Sequence, residues 1–426
     1  MGRNFVKTMA TVTALTLTVA CSKKAEEASI TPVTVAKTLY VASGACYSGA
    51  GVTTYAAGTS SRAVTKWASD TGLSSGVFTD LNVGNNVAVG TVPQSLIDKG
   101  DHILMLTDNS VSFSDRKIFK IMKNAPGTYV TYATDPSAFT VAATHVTRSM
   151  AQDVDGTMIF SKSLFAERLN TLGVRIAKGG ANPWVNPAAA TGNCFTAAGS
   201  QIQQVALMSP FTNTNQGKLI YLHTGATAAL NRIGIVQRTG LTSATALDCA
   251  GSSLATGIIG TSHSNAPNLI GLTGFTATGP AVTSMVYIPT PAPALTSGKL
   301  LVSYSGTLAT AVDNNAAFNI GIVMYDITES SDIVATITNA KILWRDESVV
   351  FAPSAMAYDA TTSSLYVAVG ASPGAANQTT QAFGYNIEKF TLDTATPILT
   401  RVHHNNQPFI IGNAYTKCIS HMMIAD

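Results

Sequence analysis

Three kinds of short segment alternate along the chain, separated by turns rich in Gly, Ser, Thr, Asn and Pro. The most conspicuous are continuous apolar runs at residues 39–44, 102–107, 157–161, 218–225, 299–306 and 365–370. Runs of this length with no polar alternation predict strands buried on both faces. Most follow a shorter segment in which a polar residue, often Ser, precedes two apolar ones, at 94–98, 148–151, 283–286, 354–357 and 420–423, with 203–206 as a looser copy. After each apolar run comes a more clearly alternating segment, at 52–56, 117–122, 172–177, 232–237, 319–327 and 383–390. A fourth, more polar strand is expected to end each unit, and Trp67, Trp184 and Trp344 are assigned to these fourth strands.

A buried strand pair followed by two progressively wetter strands makes a four-stranded sheet, and radial repetition of that sheet makes a β-propeller. The first strands centre near residues 96, 150, 205, 285, 356 and 422. The expected fold is therefore all-β, a propeller of six blades over residues 37–426, with 251–280 the place where a seventh would sit. The ends of this region complement each other. Residues 39–44 form a second-type strand with no first strand before it, and 420–423 form a first-type strand with no second strand after it. Their pairing would close the ring and leave no open sheet edge.

Charged residues make up only 12% of the chain and apolar ones 46%, so a packed body is expected rather than a disordered chain. The net charge of +3 includes Arg3 and Lys7 near the N-terminus, and no basic stripe of the kind that binds nucleic acid is visible. Residues 1–7 are basic, 8–20 are uncharged and mostly apolar, and that stretch is too short to span a bilayer as a helix. It ends Leu17-Thr18-Val19-Ala20-Cys21, which resembles a bacterial lipobox. The resemblance implies that residues 1–20 are a signal peptide, that Cys21 is lipidated, and that 21–36 form a flexible tether. Ser22 after the cysteine implies sorting to the outer membrane, with the lipid as anchor.

Cys46, Cys194, Cys249 and Cys418 remain, and an even count in an oxidising compartment predicts two disulfides. First and second strands are antiparallel neighbours, so Cys418, just before the closing first strand, falls beside Cys46, just after the second. That pair would lock the ring, and the chain-entropy model gives ~6 kcal/mol for so long a loop. Cys194 and Cys249 then pair by elimination. No Cys/His spacing points to a metal or other cofactor.

Candidate chemistry is sparse. His403, His404, Asn405 and Asn406 form a polar strand end, Asp313-Asn314-Asn315 lacks the pattern of a calcium loop, and His223 and His263 have no partner at informative spacing. His421 lies on a first strand, where a satisfied core or channel histidine is expected. No nucleophile-elbow, zincin or P-loop string occurs. The repeat resembles six-bladed propellers of the NHL and TolB-like type at the level of fold. The primary expectation is a non-enzymatic binding or scaffold module for an unknown protein or glycan. The alternative is a calcium-dependent, lactonase-like hydrolase acting at the central channel. Connections after second and fourth strands leave one face of the disc, and the long ones, at 69–93, 186–201, 250–281, 307–317, 371–381 and 405–417, make that the expected binding face.

Overall fold

The computed structural model describes residues 37–44, 61–82, 90–109, 116–133, 147–153, 156–162, 165–176, 185–186, 201–208, 217–224, 232–238, 247–248, 258–259, 281–289, 297–305, 307–308, 318–331, 334–346, 351–371, 385–402 and 407–426. Lys37–Asp426 forms one compact unit, distinct from Met1–Ala36, which lies outside the described residues. The described residues contain no helix long and apolar enough to cross a membrane.

The described elements of this unit are strands. In chain order the first are β1 (Thr38–Ser43), β2 (Ala63–Ala68) and β3 (Ser74–Asp80), then β4 (Thr91–Asp98), β5 (His102–Asn109), β6 (Ile118–Met122) and β7 (Ala125–Thr131). Next come β8 (Thr147–Gln152), β9 (Met158–Lys162), β10 (Phe165–Leu169) and β11 (Val185–Asn186), followed by β12 (Gln201–Met208), β13 (Gly217–Thr224), β14 (Arg232–Arg238), β15 (Leu247–Asp248) and β16 (Ile258–Ile259). The remainder are β17 (Ala281–Pro289), β18 (Ser297–Ser305), β19 (Thr307–Leu308), β20 (Phe318–Ser331), β21 (Val334–Asp346), β22 (Phe351–Asp359), β23 (Ser364–Ala371), β24 (Asn386–Asp393), β25 (Ile398–Val402) and β26 (Ile419–Ala425).

They build six sheets whose inner strands touch in the cycle β26, β4, β8, β12, β17, β22 and back to β26. This is a β-propeller. Strand β26 pairs antiparallel with β1, Val41 facing Met422 and Leu39 facing Ile424, so the last strand supplies the inner edge of the first sheet. A Cβ on Gly44, at the end of β1, would collide with the Pro93 carbonyl and the Ser420 side chain, so only glycine fits where the closing strand meets the next sheet.

The expected six, or seven, four-stranded blades are corrected to five. Five sheets carry four antiparallel strands from the axis outward, namely β26-β1-β2-β3, β4-β5-β6-β7, β12-β13-β14-β16, β17-β18-β20-β21 and β22-β23-β24-β25, with β19 an extra strand on β20. The sixth sheet keeps only the meander β8-β9-β10. Its outer edge is the two-residue β11, held by one residue pair to β10 and paired in parallel with β15, which falls between β14 and β16 in the chain. A strand that short offers too few ladder bonds to complete a blade.

The core lies in layers between neighbouring sheets. One layer packs Leu39, Val41 and Trp67 against Ala357, Tyr366 and Ile387, and another packs Tyr40, Ala42 and Phe78 against Leu96, Ile103 and Phe119. Because both faces of an inner strand meet such a layer, β5 is buried along almost its whole length, whereas the outer β7 and β25 are largely exposed. Two element assignments change. Residues 52–56 lie outside the described residues, and β2 takes the third-strand place, so Trp67 belongs to a third strand. The third strand predicted at 172–177 lies instead at β10, because Arg168 is buried there in an ion pair and the segment reads as too polar for a strand. Trp344 does fall on the fourth strand β21, and Trp184 lies outside the described residues.

Candidate site at the axial collar

Each of the six inner strands bulges at the same level. The pairing register slips between Pro93 and Ser95, Thr147 and Met150, Ile202 and Gln204, Val282 and Ser284, and Pro353 and Ala355. In β26 the slip falls at Ser420, since Ala42 faces His421 and Ser43 faces Ile419. A bulge re-aims the side chains that follow it, and here those side chains reach the next inner strand.

The result is a ring of rungs. Ser95 Oγ accepts from Met150 N–H at 3.2 Å, and Ser149 Oγ accepts from Val205 N–H at 3.2 Å. Gln204 makes two bonds, accepting from Met285 N–H at 2.6 Å and donating to the Met285 carbonyl at 2.8 Å. Ser284 Oγ accepts from Met356 N–H at 3.2 Å, and His421 Nδ1 accepts from Leu96 N–H at 3.3 Å. The equivalent position on β22 is Ala355, which has no acceptor. The bulge register sets Ala355 and His421 level with Ser95, in step with the first-strand centres at 96, 356 and 422. Ser354 is a bulged residue, 5% exposed, whose hydroxyl has no hydrogen-bond partner among the described residues. Ser420 donates to the Pro93 carbonyl at 2.9 Å, adding a second link from β26 to β4.

The bulges lie near the start of each inner strand, the end from which connections after second and fourth strands leave. The same end holds a buried polar group between β5 and β6. Arg116 Nε donates to Asp108 Oδ1 at 2.5 Å, with both side chains almost fully buried. Asn109 donates to Thr91 Oγ1 at 2.7 Å, and Gln94 and Arg148 are buried on the adjoining bulges. Unpaired charge at such depth would be costly, so close pairing is required. Among the described residues no group of three or more His, Cys, Asp or Glu side chains is placed to hold a metal.

At the opposite end the closing sheet is latched on both sides. Lys37 Nζ meets Asp359 Oδ1 at 2.8 Å, and Lys389 Nζ donates to the Ser69 carbonyl at 2.8 Å, a carbonyl that also accepts from the Tyr366 hydroxyl. Lys389 lies 4.9 Å from the centre of the Phe409 ring and 5.3 Å from that of Tyr366. Burial lowers the Lys389 pKa, opposed by Asp70 and Asp359, and burial raises that of Tyr366 to about 12. For Asp359 burial works against the charge, but hydrogen bonds from Lys37 and Thr362 outweigh it and the pKa is lowered. On the other flank Lys123 bridges Asp98 at 2.9 Å and the backbone carbonyl of Asp426 at 3.0 Å.

Most candidates from sequence are not brought together. His403, His404, Asn405, Asn406, Asp313, Asn314, Asn315, His263, Cys21, Cys46, Cys194 and Cys249 lie outside the described residues. His223 is on β13, facing Ile202 and Arg232 in register. Cys418 is buried and holds a left-handed backbone with φ of 51°. Its carbonyl accepts from Gly44 N–H at 2.9 Å. Gln204 and the Asp108–Arg116 pair escaped sequence reading. The signal for Gln204 was its place before two apolar residues, and the pair had none.

The fold defines a class, the β-propeller, with a cross-linked axis. No family model matches the chain, and no curated protein matches it. Among solved structures it is similar to a protein of unknown function from Bacteroides caccae, with a TM-score of 0.45, 10% identity, and coverage of 92% of this chain and 99% of that one. It is also similar to regucalcin, a calcium-binding protein from Agrobacterium tumefaciens, with a TM-score of 0.33, 11% identity, and coverage of 64% and 73%. A puromycin hydrolase is similar with a TM-score of 0.36, 12% identity, and coverage of 73% and 39%. At such identities these likenesses assign no activity to the chain.

Proposed function

We propose that the chain is a membrane-tethered binding or scaffold module that takes a protein or glycan of the cell envelope on the face carrying the connections after second and fourth strands. One observation carries this reading. The inner-strand side chains that a central-channel catalyst would draw on, Ser95, Ser149, Gln204, Ser284 and His421, are engaged in joining one sheet to the next. A ring stiffened in this way is a platform for loops, and binding residues concentrate on loops held by a rigid scaffold. In this reading Cys21 carries the lipid, residues 21–36 are the tether, and the protein is anchored in the outer membrane. Disulfides Cys46–Cys418 and Cys194–Cys249 complete the exported body. The pairing of Cys46 with Cys418 draws support from the Gly44–Cys418 backbone bond, two residues from Cys46.

Photo-crosslinking in intact envelopes tests the reading. Tyr415 is exposed in the connection leading to β26, and Leu172 is exposed in the turn after the third strand β10, on the opposite face. A photoreactive residue at position 415 is expected to give discrete adducts, and one at 172 none. The reverse pattern, or calcium-dependent lactone or ester hydrolysis by the purified protein, would contradict it.

A further inference from the structure

We propose that His421 is an acid-sensitive clasp: its neutral ring ties the closing strand β26 to β4, and protonation releases that tie and loosens the ring at its closing sheet. The geometry demands a neutral ring. Nδ1 is the acceptor for the Leu96 amide at 3.3 Å, and a protonated Nδ1 would set one N–H against another. The other rungs at this level use hydroxyl or amide oxygens, which keep their acceptor character at any physiological pH. On the other side of β26 the equivalent residue is Ala355, whose side chain offers no acceptor, and among the described residues His421 and the Ser420–Pro93 bond link β26 to β4 at this level.

The charged and titratable groups around it lie elsewhere on the packed strands. On β26 and its flanks these are Lys417, Cys418 and Asp426, and on and before β1 they are Tyr40 and Lys37. On β4 the group is Asp98, paired with Lys123, and on β22 they are Tyr358 and Asp359, the latter paired with Lys37. Among the described residues no carboxylate hydrogen-bonds to His421 to hold a proton there. Burial lowers its pKa to about 4. An unfolded chain takes up that proton near ~6.5, so the stability this group supplies is present above that pH and is lost as pH falls toward about 4. The inference is independent of what the propeller binds.

The test compares urea unfolding of the full chain with that of His421→Ser, which installs the rung found at Ser95, Ser149 and Ser284. Between about pH 8 and about pH 5 the folding equilibrium of the wild type is expected to fall on the order of tenfold more than that of the variant. Equal losses would overturn the proposal. If the variant does not fold, amide exchange in the wild type decides. Protection of the Leu96 amide is expected to drop on acidification relative to that of Met150, and parallel protection at the two sites would overturn the proposal.

Discussion

At the scale of single residues, the molecule depends on which atom follows each bulge. Ser149→Ala removes the acceptor for the Val205 amide while leaving that amide buried, so it is expected to cost ~1–3 kcal/mol in urea unfolding. Ala355→Ser is the converse. It offers Met422 the acceptor that β22 lacks and is expected to gain ~0.5–1.5 kcal/mol in the same measurement. Arg168 is 0% exposed, bonded to Asp153 Oδ2 at 3.2 Å and Thr157 Oγ1 at 2.7 Å. Arg168→Met leaves a buried carboxylate without its cation and is expected to cost ~3–5 kcal/mol, most of it recovered when Asp153→Asn is added. The repeated Ser before two apolar residues was legible in the sequence, but its role was not. Ser354 and Ser95 look alike as letters, and only a bulge one residue away decides that the first is bulged and the second makes a rung.

At the scale of elements, legibility follows burial. Strands covered on both faces, such as β5 and β23, announce themselves as continuous apolar runs and were placed correctly. Outer strands bury one face or less, and their sequences carry little signal. Strand β3 reads Ser-Ser-Gly-Val-Phe-Thr-Asp, is exposed over its first half, and was expected to be part of a long connection. Strand β10 failed for the opposite reason, since Glu167 and Arg168 are charged yet buried by pairing, Glu167 with Arg175. The latch between β2 and β23 makes a prediction of its own. Tyr366 keeps its proton in the folded state up to about pH 12, whereas the unfolded chain releases it near ~10. The folded state therefore holds more protons in that window, and stability falls as pH rises through it. Tyr366→Phe is expected to flatten that alkaline loss, at a cost of ~1 kcal/mol near neutral pH from the missing bond to Ser69. Unfolding midpoints between neutral and alkaline pH would show both.

At the scale of the whole molecule, the fold is organised by closure of the ring. Terminal strands that share a sheet cover the inner edge of β1, tie the two ends of the domain together, and give the acid-sensitive contact at His421 its leverage. This closure was legible because the first and last apolar segments are each half of a unit that is complete elsewhere. The number of complete blades was not, because the sheet begun by β8 gathers its outer edge from two short, distant segments that no repeat announces. The left-handed Cys418, bonded to Gly44 at the entry to β26, marks the seam. The most direct measurement is peptide mapping of the non-reduced, full-length protein by mass spectrometry. The peptides carrying Cys46 and Cys418 are expected to be covalently joined. Free thiols at these positions, or either cysteine joined to Cys194 or Cys249, would contradict it.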